Sequence, residues 1–208
     1  MFEKNDTLVF QGDSITDCGR NREDNASYGY GYANLLTSMF LYESPELRLN
    51  IVNRGVGGDC VTHMHDRFEE DCHRLKPNVL SILIGVNDVW SRLKHGTGVS
   101  ADKFETTYRL LLKEAVELNP KLKLILMEPF VLEGGLPEDY AAFRKELDAR
   151  RGIVRAIAAD FKATFVPLQM TFDLATQAAP DTYWLYDGVH PTAAGHMLIA
   201  QEWMKAAL

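Results

Sequence analysis

The chain has 208 residues, 46% of them hydrophobic, with 22 Lys and Arg against 29 Asp and Glu and a formal net charge of −7. That length is read as one domain, residues 1–208, with enough apolar content for a sizeable core. The acidic balance, with no basic run interleaved with aromatics, excludes nucleic acid and an anionic membrane surface as expected partners.

No apolar run approaches the roughly 18–20 residues needed to span a bilayer. The N-terminal segment is polar and acidic, without a basic stretch ahead of an apolar one, so it does not read as a signal peptide. The three cysteines form no C-x-x-C pair and are read as free thiols in a cytoplasmic, reducing setting.

Apolar runs alternate with helical spacing along the chain. Residues 7–11 form a short apolar run closed by Gly12 and predict a buried strand. Helical spacing follows over 31–41, a second strand over 47–53, and polar helical spacing over 60–75. Residues 79–84 are the most strand-like segment, between Pro77 and Gly85. A surface loop is expected over 94–100, then a helix over 101–118 that stops at Asn119-Pro120. Strand four is placed at 122–127, a loop at 133–137, a helix at 138–161, a short strand at 164–166 and a terminal helix at 192–207. This alternation predicts an α/β fold: a three-layer α/β/α sandwich around a five-stranded parallel sheet in flavodoxin-like order.

In such a sheet, ligands bind beyond the carboxyl ends of the strands. The polar segments gather there. Gly12-Asp13-Ser14-Ile15-Thr16 follows strand one, Asn53-Arg54-Gly55-Val56-Gly57-Gly58-Asp59 follows strand two, and Gly85-Val86-Asn87-Asp88 follows strand three. Asp187-Gly188-Val189-His190-Pro191 precedes the last helix. A serine at a strand-to-helix turn is exposed and surrounded by backbone N–H groups. A histidine three residues from an aspartate supplies a base with a carboxylate to orient it. Candidate donors for a developing oxyanion are the Ser14 N–H, the Gly58 N–H and the Asn87 side-chain amide.

The four segments resemble the signature blocks of the SGNH (GDSL-type) hydrolases, in order and across nearly the whole chain. The resemblance implies a flavodoxin-like fold and no metal or other cofactor. It implies Ser14 as nucleophile, Asp187 as orienting acid, His190 as base, and Ser14, Gly58 and Asn87 as the oxyanion hole. A narrower resemblance, carried by residues 12–20, 85–90 and 189–197, is to intracellular acetylxylan and xylo-oligosaccharide deacetylases of that superfamily. It implies a small acyl ester as partner, an acetylated sugar.

Blander readings stand beside these. Ser14 alone is a common helix N-cap. Asp13, Asp17 and Asp88 are read as structural hydrogen-bonding groups, and His196 as packed within the last helix. Cys60, His63, His65, Cys72 and His73 cluster in one segment, but their spacing is not a usual zinc pattern. Gly55-x-Gly57-Gly58 follows the second strand and lacks the third glycine of a dinucleotide loop. Trp90 and Trp184 flank the catalytic blocks, with Tyr183 and Tyr186 nearby, as candidate sugar-facing rings that equally suit packing.

Three functions compete. The leading one is a serine esterase removing short acyl groups, acetyl foremost, from a carbohydrate. A lysophospholipase or thioesterase would need a long apolar channel, and no apolar loop supplies one. A catalytically silent sugar-binding module on the same fold would not need serine, histidine, aspartate and asparagine all intact. Homo-oligomer formation is compatible with the sequence and not specified by it.

Overall fold

The computed structural model describes residues 2–135 and 139–208. Five strands, β1 (Thr7–Gly12), β2 (Asn50–Asn53), β3 (Val79–Leu83), β4 (Lys123–Met127) and β5 (Thr164–Val166), form one sheet in the order β2-β1-β3-β4-β5. Every pairing is parallel. This is the expected flavodoxin-like order. It reverses direction between β1 and β3, which makes the gap beyond their carboxyl ends the switch point where ligands bind.

The strands read as apolar runs because both faces are covered. Leu8, Phe10, Val79, Leu83, Ile125 and Met127 point to one side, among Leu36 and Phe40 of α2 (Tyr32–Glu43) and Ile199 and Trp203 of α10 (Ala193–Ala207). Val9, Leu80, Ile82, Leu124 and Leu126 point to the other, among Met64 of α3 (Val61–Asp66), Phe68 of α4 (Phe68–Asp71) and Tyr108 and Leu111 of α6 (Ala101–Leu118). The alternation has the period of two that a pleated strand requires. Ser81 interrupts it in the middle of β3, and its Oγ accepts the indole N–H of buried Trp203 at 2.9 Å. A buried polar atom is thereby satisfied.

Helix ends follow local chemistry. The Ser100 hydroxyl accepts the Lys103 N–H at the start of α6, and Thr192 does the same for Gly195 at the start of α10. Thr192 is therefore a cap rather than the first helical residue. Asp139 caps α7 (Tyr140–Asp160) by accepting the Ala142 N–H. The expected start of that helix at 138 and part of the expected loop 133–137 lie outside the described residues.

The structure corrects several boundaries. Residues 60–75 are not one helix but α3, α4 and a 3₁₀ turn at His73–Leu75, with the break at Arg67. The second strand begins at Asn50, because Pro45–Leu47 forms a 3₁₀ turn closed by Arg48 in the left-handed region. Three helices were not anticipated: α5 (Val86–His95), α8 (Leu168–Ala175) and α9 (Asp181–Trp184). The expected loop 94–100 is shortened by the end of α5. It is also pinned, since a Cβ on Gly98 would lie 2.3 Å from the Asp88 carbonyl oxygen.

Candidate active site

β1 ends at Gly12, where an added Cβ would lie 2.4 Å from both the Leu83 carbonyl oxygen and Thr16 Oγ1. The chain then turns sharply into α1 (Ser14–Asp17). Asp13, not Ser14, is the cap: its Oδ1 accepts the Ile15 N–H at 3.0 Å. Ser14 is left half-buried as the first residue of the turn, with its hydroxyl free for another partner. Asp13 is buried. Burial pushes its carboxyl up to about 7, opposed by the Ile15 N–H and the nearby His190 and assisted by Asp88 and Asp59.

That partner is His190. Its Nε2 lies 3.0 Å from Ser14 Oγ, and its Nδ1 lies 2.7 Å from Asp187 Oδ2. The loop carrying both residues is closed by a short antiparallel bridge between Leu185 and Pro191. The Tyr186 N–H bonds the His190 carbonyl at 2.8 Å, and the Thr192 N–H bonds the Trp184 carbonyl at 2.9 Å. At its tip Gly188 adopts φ +88°, a left-handed turn suited to glycine. The segment after β4 packs on this tip, where the Leu132 N–H donates to the Gly188 carbonyl at 2.9 Å.

Asp187 Oδ1 also accepts the N–H groups of Val189 and His190, at 2.9 and 2.8 Å. Partial burial alone would raise the Asp187 carboxyl. The His190 N–H, the imidazole and the Val189 N–H outweigh it and hold the group below the usual carboxylate range. An ionised carboxylate on Nδ1 keeps the proton there and leaves the Nε2 lone pair facing Ser14.

The other expected donors reach the same edge. Gly58 is exposed with φ +88°, and nothing lies within 4 Å of where its Cβ would be. Asn87, in the first turn of α5, is half-buried, and its Nδ2 donates to the Asp59 carbonyl at 3.2 Å. One amide hydrogen is held by that bond, and the second is free to meet another acceptor. The loop between β2 and α3 is pinned by the Val56 N–H on the Gly12 carbonyl at 3.0 Å and the Gly57 N–H on Asp17 Oδ2 at 3.0 Å.

A cleft of about 210 Å³ opens beside His190, walled by Val86, Asn87, Trp90 and Val189. Val86 and Val189 were not anticipated, because an apolar residue next to a catalytic one carries no signal of its own in a sequence. The Trp90 ring meets Phe143 edge-on at 6.2 Å, and Lys94 Nζ stands 4.8 Å over it. Trp184 lies outside this lining. Its indole N–H donates to the Ala179 carbonyl at 3.3 Å, and its ring packs on Tyr183 at 5.0 Å. Tyr186 stands exposed beside Asp187.

The residues read as structural have specific bonds. Asp17 accepts from Arg22 at 2.6 Å, and Asp88, fully buried, accepts the Val61 N–H at 3.1 Å. Burial pushes the Asp88 carboxyl up to about 6, opposed by the Val61 N–H and Arg150. His196 Nδ1 accepts the Tyr32 N–H at 3.1 Å, and its Nε2 faces Cys18 Sγ at 3.3 Å. Members of the Cys60–His73 cluster have separate partners: His63 Nδ1 accepts the Cys60 N–H, His73 Nδ1 meets Glu69, His65 Nε2 faces Glu114 at 3.3 Å, and Cys60 Sγ faces Ser91 Oγ at 3.8 Å. Among the described residues no group of three or more His, Cys, Asp or Glu is placed to hold a metal ion. Among them, too, no helix is long and apolar enough to cross a membrane.

The chain is similar to known proteins over most of its length. The GDSL-like lipase/acylhydrolase family matches residues 10–198. An acetylxylan esterase from Geobacillus stearothermophilus is 35% identical over 95% of this chain and 92% of its own length. The crystal structure of Axe2, an acetylxylan esterase from the same organism, superposes with a TM-score of 0.89 at 33% identity, covering 99% of this chain and 95% of that one. A candidate GDSL-like lipase from Parabacteroides merdae superposes with a TM-score of 0.95 at 39% identity, covering 99% and 97%. The chain belongs to the GDSL-like lipase/acylhydrolase family of ester hydrolases.

Proposed function

We propose that the protein hydrolyses short acyl esters, acetyl foremost, carried by a carbohydrate such as an acetylated xylo-oligosaccharide. The observation that carries this reading is the unbroken line from Ser14 Oγ through His190 to Asp187, at 3.0 and 2.7 Å. Ser14 Oγ attacks the ester carbonyl carbon while its proton passes to His190 Nε2. The oxyanion forms among the Ser14 N–H, the Gly58 N–H and Asn87 Nδ2. Collapse expels the sugar alkoxide, which takes the proton from Nε2. Water then attacks the acyl-serine by the same relay and releases the carboxylic acid and free serine.

The small cleft beside His190 supports a short acyl group. The sugar half rests on the acetylxylan esterase relatives. Trp90, on the cleft wall, is the proposed substrate contact, and for Trp184 the proposal rests on its nearness to Asp187 in sequence. The cysteines are all free thiols, which supports a reducing, cytoplasmic setting.

The test is turnover by purified protein of acetylated xylo-oligosaccharides and of aryl esters of increasing acyl length. Wild type is expected to release acetate and to prefer acetyl over octanoyl esters, and Ser14→Ala to lose nearly all turnover while keeping its melting temperature. Preference for octanoyl esters would favour a lipolytic enzyme instead. Sugar binding without turnover would make the chain a binding module.

A further inference from the structure

Arg67 belongs to none of the signature segments and lies in the break between α3 and α4, yet its guanidinium is spent on the scaffold of the site. Its side chain is 19% exposed. Nε donates to Asp59 Oδ2 at 2.7 Å, Nη1 donates to the Arg54 carbonyl at 2.8 Å and to Asp71, and Nη2 reaches the Gly12 carbonyl at 3.3 Å. These partners come from the end of β1, the end of β2, the loop after β2 and α4. No other side chain type offers this fixed fork of donors.

Two of these partners, Gly12 and Asp59, stand close to an expected oxyanion donor. Gly12 is two residues before Ser14. Asp59 follows Gly58 directly. The Asp59 carbonyl is also the acceptor that fixes Asn87 Nδ2, at 3.2 Å. One guanidinium thus ties together the backbone segments that set all three donors, without facing the cleft beside His190.

We propose that Arg67 is a positioning residue for the oxyanion hole, acting through Asp59 to hold Gly58 and Asn87 in register with Ser14. The inference rests on the esterase reading above. Donors that must sit about 2.7–3.1 Å from a developing charge lose effect steeply when displaced. The interaction exists only in the transition state, so its loss falls on kcat and leaves KM in place.

The test is steady-state kinetics on an aryl acetate. Arg67→Gln and Arg67→Lys are each expected to lower kcat by about 10- to 100-fold with KM within about two-fold, since a displacement of about 1 Å costs on the order of 10²-fold. Lysine keeps the charge but not the fork, so it is expected to rescue little. In an Asn87→Ala background, Arg67→Gln is expected to cost markedly less than in wild type, because part of its effect runs through Asn87. Where Arg67 variants fail to fold, Asp59→Ala removes the same acceptor and is expected to give the same split. An unchanged kcat in folded variants, a loss confined to KM, or fully additive losses with Asn87→Ala would each overturn the proposal. Absence of ester turnover by the wild-type protein would instead overturn the esterase reading on which it stands, and retained activity in Ser14→Ala the assignment of Ser14 as nucleophile.

Discussion

Asp187 holds His190 at two points: Oδ1 accepts the backbone N–H at 2.8 Å, and Oδ2 meets Nδ1 of the ring at 2.7 Å. The two residues are three apart, so the tight turn at Gly188 brings ring and carboxylate together without help from a distant element. The carboxylate thereby fixes the position of the backbone and the tautomer of the imidazole at once.

Asp187→Asn separates those two duties. The amide oxygen can still accept the backbone N–H groups, so the loop is expected to keep its shape. The Nδ1 proton loses its charged acceptor, and the imidazole is free to present the wrong tautomer to Ser14. A fall in kcat of about 10³–10⁴-fold with an unchanged melting temperature is expected. Activity within ten-fold of wild type would remove Asp187 from the relay.

Asn87→Ala removes one of three expected donors. It is expected to lower kcat by about 10²–10³-fold, the usual cost of one oxyanion-hole donor. The substituted side chain is half-buried and donates a single weak bond to Asp59, so the fold is expected to survive. A change confined to KM would make Asn87 a substrate-binding group instead.

The candidate site was largely legible because its residues sit in short contiguous segments: Ser14 and Asn87 in helical turns just after strands, Gly58 in the loop after β2, and the Asp187–His190 pair in the loop before α10. The supporting frame was much less legible. Arg67 interrupts what reads as one amphipathic stretch over 60–75, because its side chain is drawn inward to Asp59 and Gly12, with a φ of −105° and ψ of 6° that no helix interior holds. The helix α5 was hidden because Val86 and Asn87 directly follow an apolar strand, although Val86, Val89 and Trp90 show helical spacing. Helix α8 was hidden by Pro167, which reads as a breaker and instead serves as its N-cap.

His196 gives a stability prediction with a defined sign. Its ring is buried, its Nδ1 accepts the Tyr32 N–H, and burial, with His190 nearby, pushes its pKa down to about 4 from 6.5. The unfolded chain therefore binds a proton between pH 6.5 and 4 that the folded chain refuses. Stability is expected to be full above pH 6.5 and to fall as pH drops toward 4, by on the order of 1–3 kcal/mol. His196→Gln keeps an acceptor for the Tyr32 N–H and removes the titration. Urea unfolding at several pH values is expected to show a shallower acid slope in this variant. An identical slope in both proteins would assign the acid loss to other groups.

Trp90 and Trp184 are separated by what each touches. Trp90 walls the cleft beside His190, while Trp184 bonds the Ala179 carbonyl and packs on Tyr183. Binding energy from the part of a substrate remote from the ester is available to an acetylated oligosaccharide and not to a small aryl acetate. Trp90→Ala is therefore expected to lower kcat/KM for the oligosaccharide by about ten-fold more than for the aryl acetate, a difference worth about 1.4 kcal/mol of transition-state binding. The same pair of substrates decides Trp184. A discriminating loss supports its contact with the sugar, whereas equal losses with a lowered melting temperature assign it to packing. Equal losses for Trp90 would remove the ring from substrate recognition and leave it as the wall that Phe143 and Lys94 hold in place.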